Sequence, residues 1–395
     1  MKRVRILVFN AALGVLDYRV PEGMAIEFGS VVIAPLGPRQ VLGIVWEPDR
    51  LSAQDVPESK LRPLLEVLPV PPLPERLRRL IEWTADYYCT SLSSVARMAL
   101  GSMAALRGGG TTTEYRLTGQ EPARLTPQRA AALDALQGEQ ASIKELADRA
   151  SVSEGVLRGM VGAGLLEPVV VDLDRRYPLA RPEHAETTLS EGQQAAADIF
   201  VEAVNDRKFA PFLLDGVTGS GKTETYFEAV AEALRLGRQV LVLLPEIALT
   251  ENFLRRFEHR FGVPPILWHS SLKSSERRRA WRAIVAGEAQ VVVGARSALF
   301  LPYAELGLIV VDEAHEVSFK QDDGVRYNAR DVAVMRAKFE AIPVVLASAT
   351  PALESMQLAE AGVYRKIDLP ARFGGAQLPD IQILDLRQEP PERGK

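Results

Sequence analysis

Apolar positions along this 395-residue chain change their rhythm twice. Up to about residue 106 they come as short runs at 4–9, 31–35 and 41–45, punctuated by Gly14, Gly23, Gly29, Gly37 and Gly43. Short runs between glycine turns predict a small sheet or barrel. Leu77, Leu80, Ile81, Thr84 and Tyr88 then recur at helical spacing and predict one helix over 73–92. Gly108, Gly109 and Gly110, followed by Thr111, Thr112 and Thr113, break the pattern and mark a boundary.

From 114 to 175 the spacing is helical. Thr126 caps a helix over 127–136 with Pro127 in its first turn, Ser142 caps 143–150 and Ser153 caps 154–161. Gly162 and Gly164 end the last helix, and 165–171 reads as a strand. That order is the order of a winged helix-turn-helix, whose last helix lies against duplex DNA. Arg158 is the only cation in 153–161, so a protein-contacting or spacer module fits equally well. Residues 176–189, polar and with Pro178 and Pro182, read as a linker. From about 190 strands alternate with helices. The strands are 212–214, 239–244, 266–268, 290–293, 308–311 and 343–347; the helices lie near 222–236, 250–261, 274–286, 330–339 and 352–361. Continuous apolar strands need cover on both faces, which predicts a doubly wound α/β domain. The expected organisation is multidomain α/β: a small β-rich domain over 1–106, a winged-helix domain over 114–175 and an α/β domain over 190–385.

Composition removes several function classes. A 47% hydrophobic, 25% charged chain can fill real cores. No apolar run approaches the roughly 20 residues of a membrane helix, so no membrane partner is expected. Lys2, Arg3 and Arg5 before 6–16 resemble a signal peptide, but Asn10 interrupts that run and Asp17, Tyr18 and Arg19 follow it. A strand is the expected reading, and a cytoplasmic protein. A single cysteine, Cys89, and four scattered histidines offer no zinc or iron–sulfur ligand set. Net charge is −4, so DNA contact would have to be local. Arg277, Arg278, Arg279 and Arg282 beside Trp281, and Arg255, Arg256 and Arg260, are the basic clusters, each a solvated helix face or a DNA track.

Two motifs carry chemistry. Gly216-Val217-Thr218-Gly219-Ser220-Gly221-Lys222-Thr223 follows a strand and opens a helix, the setting in which backbone amides face an anion. Lys222 is then the ligand of the β- and γ-phosphates of ATP, and Thr223 a ligand of Mg²⁺. In Ile309-Val310-Val311-Asp312-Glu313-Ala314-His315 a buried strand delivers two carboxylates at its end. Asp312 suits the metal, and Glu313 suits orientation and deprotonation of a water.

With Ser348-Ala349-Thr350, these segments resemble motifs I, II and III of superfamily 2 helicases. Pro245 to Thr250, His269 to Leu272, Gly294 to Ser297, Phe319 to Gln321, Arg326 to Asp331 and Ser348 to Glu354 narrow the resemblance to the replication-restart helicases of the primosomal protein N′ family. Leu16-Asp17-Tyr18 and Val32 to Gly37 resemble that family's DNA-binding domain. The resemblance implies a RecA-like P-loop lobe in an ATP-dependent 3′→5′ DNA helicase that recognises stalled forks and starts primosome assembly. It implies that Gln193 reads adenine, that Gly216, Gly219, Ser220, Gly221, Lys222 and Thr223 hold the triphosphate, and that Ser348 and Thr350 couple nucleotide to DNA. Phe319, Lys320, Arg326 and Tyr327 fall in its DNA-sensing loop, and Leu16, Asp17, Gly37 and Arg62 in its pocket for a nascent 3′ end. There the Asp17 carboxylate would accept a hydrogen bond from a free 3′ hydroxyl. Implied partners are forked DNA, single-stranded DNA, single-stranded-DNA-binding protein and primosome proteins.

Departures qualify that resemblance. Ala314 stands where the family is expected to have glutamate, and Val325 where its loop commonly has tryptophan, a lost stacking platform. The family's zinc region, second helicase lobe and C-terminal domain find no counterpart before the chain stops at Lys395, so zinc is implied for the family and not for this chain. The expectation is an N-terminal half. Its alternative is a fork-binding scaffold that does not unwind. A restriction or remodelling motor fits the three motifs but not the first 110 residues.

Overall fold

The computed structural model describes residues 2–10, 13–47, 57–120, 122, 124–136, 140–245 and 251–372. The resemblance over 246–250 and everything after 372, including the expected end of the α/β domain, lie outside the described residues.

The first body is an antiparallel sheet of β1 (Lys2–Val8), β2 (Val15–Val20), β3 (Val31–Leu36), β4 (Arg39–Val45) and β5 (Glu66–Val67), in the order β2-β1-β4-β3-β5. Strand alternation gives it two apolar faces. Val4, Ile6, Val8, Val32 and Ala34 build a small core under Tyr18 and Leu64. Leu7, Val31, Ile33 and Ile44 face the other way, toward α1 (Glu75–Tyr87), α2 (Leu92–Met98) and α3 (Met103–Arg107). The single helix expected over 73–92 ends early. Cys89 turns into the left-handed region at φ 49°, and Ser91 restarts the chain by accepting the Ser94 amide at 3.2 Å.

The second body comprises β6 (Thr111–Leu117), α4 (Pro127–Leu136), α5 (Ile143–Ala150), α6 (Glu154–Gly162) and β7 (Leu166–Asp172). Here the expected boundary at 111–113 is a strand. Thr112 and Thr113 pair with Val171 and Val170, and β-branched residues favour such a ladder once a partner arrives from 60 residues away. Thr126 and Ser142 cap as expected, Ser142 in a full capping box with Glu145. Ser153 is extended ahead of α6, but its hydroxyl makes no capping bond. Leu136, Leu146, Leu157, Met160 and Leu166 form a core belonging to this body alone.

The third body contains α7 (Glu191–Asp206), β8 (Ala210–Gly216), α8 (Lys222–Arg235), β9 (Gln239–Leu243), α9 (Glu251–Phe261), β10 (Ile266–Trp268), α10 (Ser274–Val285), β11 (Val291–Gly294) and β12 (Leu306–Val311). A hairpin of β13 (Lys320–Gln321) and β14 (Tyr327–Asn328) precedes α11 (Ala329–Glu340), β15 (Pro343–Ser348), α12 (Leu353–Glu360) and β16 (Arg365–Leu369). Among the described residues the sheet is seven-stranded and parallel, in the order β10-β11-β9-β12-β15-β8-β16. Helix α7 and edge strand β16 are additions to the expected pattern. Phe200, Phe227, Phe257 and Phe261 cover one sheet face.

Trp281, Ile284, Val332 and Ala333 cover the other face in the same core as Leu77, Leu80, Ile81, Val95 and Leu106 of the first body. The bodies separated in the sequence reading at 106 therefore share one core. Helix α10 is the pin. The buried Trp281 donates Nε1–H to Ala99 O at 3.0 Å, and Arg282 donates to Ala105 O at 2.9 Å. Arg278 bonds Gly109 O and pairs with Asp174, while Arg279 donates to the carbonyls of Arg175 and Arg176. Arg278, Arg279 and Arg282 of this cluster, read as a solvated face or a DNA track, are turned into the protein.

Candidate functional site

β8 ends at Gly216 and α8 starts at Lys222, so the intervening loop lies at the carboxyl end of the sheet with its amides at a helix N-terminus. Gly221 is required by its backbone, since its φ is 80°. Lys222 is 8% exposed, and its Nζ donates to Gly216 O at 2.7 Å. The buried Ser220 hydroxyl finds no protein partner among the described residues. Ser190 and Gln193 form the capping box of α7, with Gln193 Oε1 accepting the Ser190 amide at 2.8 Å and its Nε2 donating to Ser220 O at 2.7 Å. The amide expected to read adenine is thus engaged at both ends on the wall of a cleft of about 530 Å³ that Thr187, Lys222, Thr223, Asp312 and Glu313 also line.

Asp312 emerges from β12 two strands from β8, with β15 between them. It is 7% exposed. Its Oδ2 accepts the Tyr226 hydroxyl at 2.8 Å and its Oδ1 the Glu313 amide at 2.9 Å. Burial raises the Asp312 pKa above the ordinary carboxylate value, and the Tyr226 bond opposes the rise. Glu313 adopts φ 48°, a left-handed conformation uncommon outside glycine, which starts a tight turn and keeps its carboxylate partly exposed. His315 Nδ1 lies 3.6 Å from Glu313 Oε2 and 3.0 Å from Ser348 Oγ, which in turn accepts the Thr350 amide at 3.1 Å. Motifs II and III are joined side chain to side chain. Ala314 is buried, its amide bonded to Ala347 O at 2.8 Å.

The sensing-loop residues divide. Phe319 and Tyr327 are core residues at 1% and 2% exposure, with Tyr327 edge-on to Phe300, so neither presents a ring to a base. Burial holds the Tyr327 phenol well above its ordinary pKa. Val325 is buried beside them. Lys320 and Arg326 remain exposed on the hairpin, Arg326 donating to Asp322 O at 3.2 Å. Next to the hairpin lies a polar groove lined by Ser270, Arg277, Arg296, Ser297 and Gln321, to which the sequence reading assigned no role. Its signal lay in the quoted segments 269–272 and 294–297.

The expected 3′-end residues are also divided. In the β1–β2 ladder Asp17 faces Arg5, while Leu16 faces Ile6 and Tyr18 faces Val4. The Asp17 carboxylate therefore points away from Leu16 and Tyr18. It bonds Arg3 at 2.5 Å and lies 3.6 Å from Arg5, in a separate cavity with Phe28 and Trp46. Arg62 donates to Gly37 O at 2.7 Å and lies near Tyr18.

Known proteins match this arrangement segment by segment. The family model described as 3'DNA-binding domain matches residues 5–101, and that described as DEAD/DEAH box helicase matches 190–359. Replication restart protein PriA of Rickettsia felis is 34% identical over 98% of this chain and 49% of its own length. This chain resembles the N-terminal half of PriA. The PriA of Haemophilus influenzae is 33% identical over 100% of this chain and 55% of its own length, and that of Bacillus subtilis 29% over 94% and 56%. The chain thus spans about half the length of the curated PriA relatives it matches. Asp17, Gly37 and Arg62 fall in the first matched segment, and Gln193 through Thr350 in the second. The second body, 111–172, lies between the two matches.

Proposed function

We propose that this chain is the fork-binding and ATP-binding half of an ATP-dependent 3′→5′ DNA helicase of replication restart. The observation that carries the reading is the cleft where the 217–221 loop, Lys222, Asp312 and Glu313 converge. Its donor set fits a magnesium nucleotide: helix-terminal amides, a buried ammonium, an unpartnered buried hydroxyl at Ser220 and a carboxylate pair. Bound Mg·ATP supplies the transferable phosphoryl group and a cation that neutralises developing charge. The loop amides would hold phosphate oxygens. Lys222 would give up the Gly216 carbonyl to bind the phosphates. Thr223 and Asp312 would hold the metal, and Glu313 would orient a water and take its proton. The contact from Glu313 through His315 to Ser348 supports coupling of the nucleotide to Thr350 and the DNA side. For an adenine contact Gln193 keeps its second Nε2 proton and its second Oε1 lone pair.

DNA belongs along the groove that follows β10 and β11. Arg277, Arg296, Lys320 and Arg326 supply cations to a strand's phosphates. A 3′ end is held by Leu16, Gly37 and Arg62 around the Asp17 backbone, while Arg3 and Arg5 keep the Asp17 carboxylate. The second body acts as a winged helix with a minor electrostatic share, since its Arg158 already bonds Glu154 at 3.0 Å. Single-stranded-DNA-binding protein and primosome proteins are its partners by family resemblance.

One observation favours the non-motor reading for these 395 residues by themselves. Among the described residues lining the cleft the cations are Lys222 and Arg256, and Arg256 is bonded to Glu224. An arginine directed at the transferring phosphate is worth about 10³–10⁵ in rate in related systems. The chain alone should bind forks, hydrolyse ATP slowly and displace no strand. Fork binding, ATP hydrolysis and strand displacement measured together test this, on forks ending in a 3′ hydroxyl or a 3′ phosphate. Equal affinity for the two forks removes the 3′-end assignment, and robust unwinding removes the half-motor assignment.

A further inference from the structure

The Mg²⁺-site reading leaves one buried group unused. Tyr226 sits one turn into α8, fully buried, and its hydroxyl donates to Asp312 Oδ2 at 2.8 Å. Thr223 lies three residues before Tyr226, on the same face of α8. Tyr226 therefore stands one turn from one side chain assigned to the metal and bonds the other. A phenol has one proton to donate and lone pairs to accept with. That proton goes to Asp312. Asp312 Oδ1 is meanwhile held by the Glu313 amide at 2.9 Å.

We propose that Tyr226 is a positioning residue for the magnesium site, its hydroxyl orienting Asp312 toward the cation. This rests on the phosphate-site reading above. Tyr226 acts on the metal through Asp312. Outer-shell partners of this kind are worth about 10–100-fold in metal affinity. Without the hydroxyl, Asp312 loses one of its two donors and reorients. The loop amides and Lys222 are untouched, so metal-free nucleotide should not sense the change.

The test is Tyr226→Phe in the full chain, read by binding of a fluorescent ATP analogue in EDTA and across a Mg²⁺ titration, with Mn²⁺ paramagnetic resonance as a second readout. The expected result is unchanged affinity in EDTA and a Mg²⁺ midpoint raised about tenfold or more. Equal midpoints for the two proteins overturn the proposal, as does a variant that loses affinity equally with and without metal. Wild-type protein that binds no nucleotide, or gains nothing from Mg²⁺, refutes the phosphate-site reading instead. If the phenylalanine variant does not fold, fluorotyrosine at 226 keeps the shape and makes the phenol a stronger donor. A midpoint that moves with the fluorine supports the Tyr226–Asp312 contact as the positioning bond, and one that does not move overturns it.

Discussion

Helices α8 and α10 pack on opposite faces of one parallel sheet, and both begin with a polar turn followed by charge. On α8 the single Lys222 lies at the mouth of a glycine loop and borders the cleft. On α10 four arginines within six residues make the denser positive patch, yet Arg278, Arg279 and Arg282 are consumed by carbonyls of 105–109 and 175–176 and by Asp174. Charge density marks a ligand site poorly. Backbone amides with no partner of their own, gathered at a helix start, mark one well.

This contrast can be broken at α10 first. Trp281 is 2% exposed, and truncating such a residue to alanine costs about 3–5 kcal/mol. Trp281→Ala should lose that much in urea unfolding, and a loss below about 1 kcal/mol, the ordinary substitution, would contradict the pin. At α8 the expected effect is on binding. Lys222→Ala should weaken nucleotide binding about 10–100-fold, the worth of a charge-assisted hydrogen bond, and leave fork affinity unchanged. An unaltered nucleotide affinity would sink the phosphate assignment.

A smaller comparison sharpens the point within the basic helices. Arg282→Ala removes a bond to Ala105 O and a pair with Asp174 and should cost about 1 kcal/mol, whereas the exposed Arg255→Ala should stay within about 0.5 kcal/mol. Equal losses would mean that the packed geometry does not distinguish them. The smallest effect lies at a second junction between the first and third bodies. Tyr88 donates to Asp331 at 3.4 Å and accepts the Asn328 amide at 3.1 Å, and burial above all pushes its pKa from 10.0 to about 12. The unfolded phenol ionises first, so this contribution is intact below pH 10 and lost as pH rises toward 12. Tyr88→Phe should flatten the alkaline limb of a stability–pH curve in that window, and an unchanged slope would count against the junction.

Legibility followed locality. The phosphate loop, the Asp312–Glu313 pair and the six core strands of the third body could be read because each is a contiguous run. The break at Cys89 and the strand at Thr111–Leu117 could not, since one depends on a cap competing with a continuing helix and the other on a distant partner strand. Phe319 and Tyr327 show the same limit. Aromatics near a DNA loop look alike in sequence whether they stack on bases or fill a core.

By itself the sequence determined the α/β class, the position of the glycine turn and which carboxylates share its cleft, because hydrophobic period and glycine placement act over a few residues. Only the tertiary structure decided where the charges point. It joined the first and third bodies into one core, placed Asp17 with Arg3 and Arg5, and turned the α10 arginines inward. A long cationic side chain takes whichever carbonyl or carboxylate the packed neighbours bring within about 3 Å, and the neighbours come from parts of the chain that local pattern does not connect.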